Sequence, residues 1–467
     1  MPTLHAPPTI SARIDRLPPC GTLWSWVARI SFGAFFEIYE IALTSLLAPA
    51  LVLDGIFHIG QAGLFGLPDL ATFAFGTFAG LFVGALVFST IADRFGRRPI
   101  FTYSLVWYAV ATLVMSAQST ALSICLWRFV AAIGVGAESV AVDAYLAELM
   151  PKDMRGRGFA ISQSIQFMAV PLAGLLAAAL ARKTVAGVQG WRMMLFVPIV
   201  GAVLIWLVRK GLPESPRWLA EHGRLQEADS ILNGVEETIV RRTGHPLPDP
   251  LSIPAPPAPP PSSRGEFSEL FRGVLLRRTL MMTVASCAGT AAFFGFGNWL
   301  PSLLEARGVE VTKSLLYSGI IAFSYPIAPL FFSLIADRTE RKWQIVAGAA
   351  LTAAAGLVFS QQTAVAGWII FGLLVTIGNN LSSFGTHTYR SELFPTGLRA
   401  RAIGVIYSMD RLTAAFNGYL IGFIMIRVGV TGVLVFVTCA SLLNMVSIAI
   451  FGPRTRGLAT DEIIDRG

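Results

Sequence analysis

A small set of ionisable side chains lies inside long apolar runs of this 467-residue chain. Carboxylates, an imidazole and guanidinium groups in such surroundings can take up, release or neutralise charge, but they are costly to bury. Each is therefore a candidate for proton transfer or for binding an ion. The set comprises Glu37, Glu40, Arg128, Glu138, Asp143, His387, Arg390, Asp410 and Arg411.

Two of these carboxylates, Glu37 and Glu40, are three residues apart, so a helix would carry them on one face. They lie near the middle of the first apolar run, where low polarity favours the neutral carboxyl. Arg128 keeps its proton in almost any surroundings and can neutralise an ionised acid. We predict that these three residues form a proton-coupling group. Arg390 lies near the end of its run, and we expect its guanidinium to reach the membrane surface.

The composition identifies the elements that hold these residues. Hydrophobic residues make up 54% of the chain and charged residues only 14%, whereas soluble domains have about 25% charged residues. This excludes a soluble protein. The net charge of +8 comes from scattered basic residues, so we expect no nucleic-acid partner. The four cysteines are far apart in the sequence, which predicts no metal site, and we expect no cofactor.

Twelve apolar runs are long enough to span a bilayer. We predict an all-α integral membrane protein with twelve transmembrane helices in two six-helix bundles. With both termini in the cytoplasm, most of the 36 Lys and Arg residues lie on the cytoplasmic side, which predicts this orientation. We expect the protein in the cell (inner) membrane. We also expect it to be a monomer. The predicted spans are 24–52, 67–91, 100–118, 121–149, 158–181, 191–208, 280–303, 315–336, 343–361, 364–393, 402–426 and 430–452.

Between the two bundles lies the main long connection of the chain. Residues 217–242 have helical spacing and mixed charge, which predicts short cytoplasmic helices, and the proline-rich run 245–261 predicts an extended linker. The domains expected are a cytoplasmic N-terminal segment, an N-terminal bundle, a cytoplasmic loop, a C-terminal bundle and a cytoplasmic tail. Their boundaries are 1–21, 22–212, 213–278, 279–452 and 453–467.

Two separate clusters of residues recur at one offset of 244 positions. Asp93 and Arg94 match Asp337 and Arg338, and Tyr145 matches Tyr389. A shared offset predicts a parallel repeat, which can enclose one site reached alternately from each side of the membrane. The paired acids and arginines at the cytoplasmic helix ends predict a gate that holds the outward-facing state. Its members are Asp93, Arg94, Arg97, Arg98, Glu148, Arg155, Asp337, Arg338, Arg341, Glu392 and Arg399.

Nearly the whole chain resembles the major facilitator superfamily. The run from Asp93 to Arg98 is similar to the family's loop between spans 2 and 3, with Ser89 in place of the usual Gly. Other segments are similar to sugar porters and related metabolite:proton symporters, and the opening 12–18 narrows the resemblance to niacin-permease-like members. Those segments are 128–136, 190–192, 213–219, 392–399 and 453–463.

The resemblance implies that Glu40, which follows Tyr39 as in sugar porters, pairs with Arg128 as the proton switch. It also implies that Arg411 neutralises a substrate anion, since a bidentate guanidinium suits a carboxylate. The aromatic residues of spans 1 and 7 favour a planar, partly apolar ligand. The substrate-binding residues that we predict are Tyr39, Glu138, Gln163, Phe294, Asn298, Trp299, Asn380, His387 and Arg411.

These observations predict a proton-coupled symporter of a small organic acid, nicotinate-like and aromatic. The alternatives are a sugar or polyol symporter and a proton-driven exporter of a drug or metabolite. Gln163 matches a sugar-binding glutamine, but span 7, residues 283–299, lacks the glutamines of sugar porters. An enzyme is disfavoured because no nucleophile–base pair is recognisable, and a sensor because no signalling domain is. The partners expected are a small-molecule substrate, protons and the lipid bilayer.

Overall fold

The computed structural model describes residues 10–58, 69–151, 154–180, 183–208, 211–249, 267–335, 339–394 and 396–455. Asp337 and Arg338 lie outside these ranges, and most of the proline-rich run does as well. The side chains of four other predicted gate residues are also outside the described set: Asp93, Arg94, Glu392 and Arg399.

The first half of the chain is a bundle of apolar helices with one two-stranded hairpin. The antiparallel strands β1 (Thr184–Val185) and β2 (Val188–Gln189) pair Thr184 with Gln189. The helices are α1 (Ile10–Asp15), α2 (Gly21–Leu46), α3 (Ala48–Leu53), α4 (Asp69–Phe95), α5 (Arg97–Ser116), α6 (Ala121–Leu149), α7 (Arg155–Phe167), α8 (Ala169–Leu180), α9 (Gly190–Met194) and α10 (Phe196–Val208).

The central loop contains two helices, α11 (Pro216–Glu221) and α12 (Leu225–Thr243); the cytoplasmic location of this loop stays a prediction. A 3-10 helix, Phe267–Phe271, leads into the second half. Its first helix begins at Gly273, before the predicted bundle start at 279. The helices are α13 (Gly273–Gly297), α14 (Leu300–Glu305), α15 (Val311–Ala322), α16 (Ser324–Ile335), α17 (Arg341–Gln361), α18 (Val365–Leu393) and α19 (Thr396–Phe451).

Ten stretches of the described chain are long and apolar enough to cross a membrane. The last, Ala402–Phe451, has 50 residues and contains Gly429 with non-helical angles (φ 77°, ψ −166°), so it holds two spans. Helix α2 is not among the ten because two carboxylates and an arginine lower its hydropathy. With α2, and with the last stretch counted as two, the described helices supply the twelve predicted spans.

Glycines set the close packing of helix pairs in both halves. A Cβ atom at Gly84 of α4 would lie 2.1 Å from the carbonyl oxygen of Ile133 in α6. In the second half, a Cβ atom at Gly378 of α18 would lie 2.7 Å from the carbonyl oxygen of Gly348 in α17. Only glycine permits such backbone approach, and it fixes α6, which carries three of the ionisable residues, against α4.

The helices α1, α11 and α12 lie at one end of the bundle, which we call the loop side. Arg217 of α11 donates to the carbonyl oxygen of Ala147, at the end of α6 (3.2 Å), and to Asp15 Oδ1 of α1 (2.9 Å). Arg13 of α1 forms ion pairs with Asp229 (2.6 Å) and Glu236 (2.8 Å) of α12. The N-terminal segment, the loop helices and α6 are therefore joined.

At the end opposite the loop side, the sequence Gly190–Trp191–Arg192 ties the sixth span to its neighbours. Trp191 Nε1 donates to Asp54 Oδ2 (2.6 Å), and Arg192 Nε donates to Gln189 Oε1 (2.5 Å). The Arg192 guanidinium lies 4.4 Å from the centre of the Trp191 ring. These contacts fix the outer ends of α3 and α9 to each other.

Candidate functional site

Glu40 and Arg128 form an ion pair inside the first half. Arg128 Nη1 lies 2.5 Å from Glu40 Oε2, and both side chains are almost fully buried. Arg128 Nη2 also donates to the backbone carbonyl of Glu40. Helices α2 and α6 are thus joined through both the side chain and the main chain of Glu40. The structure brings this predicted pair together.

Three threonines complete the surroundings of the pair. Thr112 Oγ1 of α5 donates to the second carboxylate oxygen of Glu40 (2.7 Å). Arg128 donates through Nε to Thr77 Oγ1 (3.0 Å) and through Nη2 to Thr44 Oγ1 (2.9 Å). A buried ion pair is tolerated when further hydrogen bonds satisfy its remaining polar atoms. Four helices, α2, α4, α5 and α6, contribute to this arrangement.

Glu37, one turn before Glu40, faces a different set of groups. Its Oε1 accepts a hydrogen bond from Ser139 Oγ (2.6 Å). The Arg411 guanidinium of the second half and the Asp143 carboxylate both interact with it electrostatically. Asp143 is exposed to solvent, although it too interacts with Arg411. Asp143 and His387 are both exposed and both interact with Arg411, so we infer an accessible cavity between the two halves, with Glu37 buried beside it.

The second half contributes the positively charged Arg411 to this cavity. Arg411 Nη2 donates to the hydroxyl of Tyr407 (2.9 Å), and the guanidinium lies 4.8 Å from the centre of that ring. The His387 ring lies 6.3 Å from the Tyr407 ring and is solvent-exposed. Asp143 and His387, which the repeat relates by 244 positions, are both near the loop-side ends of their helices. The cavity therefore opens on the loop side.

A layer of aromatic rings joins the halves on the other side of this cavity. Phe294 of α13 packs against Phe78 of α4, with ring centres 4.8 Å apart. Phe293 contacts Tyr325 (5.7 Å), and Tyr325 contacts Phe167 of α7 (5.6 Å). We call Phe78, Phe167, Phe293, Phe294 and Tyr325 the aromatic layer. Its contacts join α4 and α7 of the first half to α13 and α16 of the second.

Arg390 does not reach the membrane surface, and that expectation was wrong. Its side chain is buried, donates to Ser286 Oγ (2.6 Å) and forms an ion pair with Asp410. The sequence offered Asp410 as a partner for Arg390, because this acid also lies in an apolar run. Arg390 lies in the last turn of α18, but its contacts with Asp410 and Ser286 hold the guanidinium in the interior.

The other predicted substrate residues are divided between the cavity region and the bundle interior. Tyr39 is fully buried and donates to the carbonyl oxygen of Met194 (3.1 Å), and Glu138 is fully buried as well. Asn380 is buried and donates to the carbonyl of Thr376 (2.9 Å), one turn earlier in its own helix. The structure does not bring these three to Arg411. Half-buried positions are taken by Gln163, Phe294, Asn298 and Trp299.

Part of the predicted gate is visible on the loop side of the first half. Arg97 forms an ion pair with Glu148 (3.0 Å), and the backbone amide of Arg98 points to Glu214. Arg155 Nε donates to the carbonyl oxygen of Met150 (3.3 Å), and Arg341 is half-buried. The gating role of these residues stays a prediction.

Sequence reasoning missed the neutral partners of the charged groups. Ser139, Ser286, Tyr407 and the threonines around Arg128 are common residue types in membrane helices, so composition does not distinguish them. One signal was available for Ser139, because it lies between Val135 and Asp143 on the helix that also carries Glu138.

Comparisons with known proteins identify the family of this chain. The family described as "Sugar (and other) transporter" matches residues 29–465. The putative metabolite transport protein YyaJ of Bacillus subtilis is 30% identical over 95% of this chain and 95% of its own. The niacin transporter NiaP of Acinetobacter baylyi is 24% identical over 97% of this chain and 99% of its own.

A solved structure shows the same fold. The proton:xylose symporter XylE from E. coli, bound to 6-bromo-6-deoxy-D-glucose, matches with a TM-score of 0.73 at 18% identity. The match covers 95% of this chain and 98% of XylE. These findings confirm the predicted fold class and the exclusion of an enzyme. The chain belongs to the sugar (and other) transporter family and is a multi-pass membrane transporter of the major facilitator superfamily.

Proposed function

We propose that the protein couples the movement of protons to the symport of a small organic anion by alternating access. The substrate class that fits best is an aromatic monocarboxylate, with nicotinate as the representative. In this proposal the protein is a monomer in the inner membrane, and the loop side faces the cytoplasm because most basic residues lie there.

The observation that carries the proposal is that Arg411 has few contacts with other groups of the protein. Within the described part of the chain its guanidinium has one hydrogen bond, to Tyr407, and no carboxylate within ion-pair distance. The guanidinium interacts electrostatically with Glu37 and Asp143 of the first half without an ion pair to either. A planar guanidinium with free donors in low-polarity surroundings is well suited to a carboxylate ligand. The nearby aromatic layer suits a planar apolar ring.

Proton coupling follows from the Glu40–Arg128 pair. Arg128 keeps its charge, so its presence holds Glu40 ionised while the two are in contact. When helix movement separates them, a lone ionised carboxylate in the membrane interior is unfavourable, and Glu40 takes up a proton. Glu40 would thus be either paired with Arg128 or protonated, and this alternation would link proton movement to the change of conformation. The relative NiaP, named as a niacin transporter, supports the substrate class.

A sugar substrate is the second candidate, favoured by the XylE fold match and by the half-buried position of Gln163. A sugar would not need Arg411, because hydroxyl groups carry no charge to neutralise. The two proposals therefore differ in their dependence on this one guanidinium.

A ligand panel tests the proposal. Purified protein is exposed to nicotinate, benzoate, xylose and glucose, and the shift in thermal unfolding is measured. We expect the carboxylates to stabilise the protein and Arg411→Gln to abolish this effect. Arg427→Gln is the matched control, because Arg427 lies outside the cavity over the Phe423 ring, and it should behave like the unchanged protein.

Ligands that stabilise the protein are then tested in proteoliposomes with and without an inward-directed proton gradient. We expect accumulation only with the gradient. Stabilisation by sugars alone, equal in Arg411→Gln, would replace the organic anion with a sugar. Accumulation of the same extent without a gradient would remove proton coupling from the proposal.

A further inference from the structure

Glu138 is a buried acid that the proposed mechanism does not use. Its side chain is fully buried on α6, and the Tyr108 hydroxyl of α5 is the one neutral group in hydrogen-bonding contact with its carboxyl in the part of the chain that the structure describes. The Tyr108 hydroxyl is also fully buried and has no other hydrogen-bond partner among the described residues. Ionised carboxylates are rarely left in this condition, because desolvation without a partner is very costly.

The space for Glu138 is provided by a glycine of the first span. A Cβ atom at Gly33 would lie 3.3 Å from Glu138 Oε1 and 2.3 Å from the Phe101 ring. Any larger residue at this position would force the ring to move and crowd the carboxyl. Helix α2, α5 and the acid therefore enclose a small space in the bundle interior, away from the exposed cavity residues.

The titratable groups facing Glu138 do not neutralise a negative charge. Glu37 of α2 repels it, and Tyr108 of α5 is its nearest hydroxyl. The Tyr108 hydroxyl in turn faces Glu37 and Glu40 of α2. The arginines of the neighbouring site interact with other acids, Arg128 with Glu40 and Arg411 with Glu37 and Asp143.

Glu37 and Glu138 are linked through the contact between α2 and α6. Glu37 accepts its hydrogen bond from Ser139, the residue next to Glu138 in the chain, and it follows Gly33 by one helical turn. Two acids this close together titrate as a pair, because an ionised first carboxylate disfavours ionisation of the second.

We infer that Glu37 and Glu138 form a coupled acid pair that carries one negative charge, with Glu138 as the protonated member in this conformation. Transfer of this proton from Glu138 to Glu37 leaves the single negative charge on Glu138, so either carboxyl of the pair can hold the proton. The pair is then a second proton site beside Glu40. This inference extends the proposed proton coupling but does not depend on the substrate.

Infrared spectroscopy of the purified, substrate-free protein tests the protonation of Glu138. A neutral carboxyl has a carbonyl stretch distinct from that of a carboxylate. We expect Glu138→Gln to lose one such band, because glutamine has nearly the size of the neutral acid and should preserve the fold. Glu148→Gln is the matched control on the same helix, since Glu148 is ion-paired with Arg97, and it should lose no such band.

Raising the pH then tests the coupling. We expect the Glu138 band to disappear at alkaline pH, and to disappear at a lower pH in Glu37→Gln than in the unchanged protein. If Glu138→Gln does not fold, Tyr108→Phe provides the assignment, because removal of the adjacent hydroxyl should shift the frequency of the same band.

Two results would overturn the inference. The first is an unchanged set of neutral-carboxyl bands in Glu138→Gln, or in Tyr108→Phe where that variant is used. The second is a Glu138 band that persists over the whole pH range of the folded protein or ignores Glu37→Gln, which would make Glu138 a permanently neutral packing residue. Because the titration contains no substrate, failure of nicotinate to bind would leave its outcome unaffected.

Discussion

Arg128 binds Glu40 through both the side chain and the main chain. One guanidinium nitrogen lies 2.5 Å from the carboxylate, and another donates to the carbonyl oxygen of the same residue. The contact to the backbone persists whatever the charge of the carboxylate. Loss of charge at Glu40 would therefore remove the ion pair but leave the backbone contact between α2 and α6, until a movement of the helices separates the two residues.

Glu40→Gln should abolish gradient-driven accumulation of substrate while sparing exchange of substrate across the membrane. Glutamine keeps one acceptor oxygen for Arg128, and its amide nitrogen can donate to the Thr112 hydroxyl, but it cannot exchange a proton. The measurement compares uphill uptake with counterflow in proteoliposomes, using a ligand found in the panel. Glu227→Gln, at an exposed acid of α12, is the control and should retain both activities. Uphill uptake by Glu40→Gln at the normal level would show that another group couples the proton.

Arg128→Met should lower the stability of the protein by about 3–5 kcal/mol, because it leaves Glu40 buried without a cation. The double variant Arg128→Met with Glu40→Gln should recover part of this loss, since the unpaired charge is then absent. Thermal unfolding of the three variants provides the double-mutant cycle. Additive losses in the double variant would mean that the two side chains stabilise the fold independently.

The buried pair of Arg390 with Asp410 should tolerate exchange of its charges better than loss of one. Arg390→Asp alone places two acids together, and Asp410→Arg alone places two cations together, so each should be strongly destabilising. The combined exchange restores opposite charges between α18 and α19. Ser286→Ala, which removes one hydrogen-bond acceptor of Arg390, should cost only about 1 kcal/mol. A combined variant less stable than both single variants would contradict this account.

Acidic pH should release α1 from α12. Burial alone would raise the pKa of Glu236, but the hydrogen bonds and charges of Arg13 and Arg16 outweigh it and hold the pKa below its ordinary value. A carboxyl with a lowered pKa contributes its full stabilisation above the unfolded value of about 4.3 and loses it as the pH falls through the folded value.

Hydrogen–deuterium exchange of residues 10–17, measured as a function of pH and corrected for the intrinsic exchange rate, checks this expectation. Protection should fall in the acidic range in the unchanged protein. In Glu236→Gln the protection should be lower at neutral pH and nearly independent of pH. Protection that is equal in both proteins would show that the apolar contacts of Ile10 and Ile14 hold α1 in place by themselves.

Much of the fold was predictable because a bilayer imposes a simple rule on sequence. The length of each apolar run, the positions of the arginines and the offset of 244 were sufficient to predict twelve helices in two bundles. Helix breaks within spans were not predictable in this way. Met168, between α7 and α8, and Phe323, between α15 and α16, are apolar residues of the kind that make up the spans themselves.

The site was predictable only in its charged members. A charge in an apolar run is visible in the sequence, but its partner is determined by helix rotation and packing. Glu40 and Arg128 could be paired through a family resemblance, whereas Arg390 had no such guide and was assigned to the surface. The exposure of Asp143 and the burial of Glu138, five residues apart on α6, depend on which face of that helix meets α2.

The repeated tyrosines have a consequence for the chain as a whole. The hydroxyl of Tyr145 donates to the carbonyl oxygen of Pro213, which follows the sixth span. Tyr389 donates in the same way to Pro453 (2.6 Å), which follows the twelfth. Each half therefore contains a hydrogen bond between its repeated tyrosine and the proline that follows its last span. A single cut of the chain in the proline-rich run would leave both hydrogen bonds intact, because each one lies within its own half.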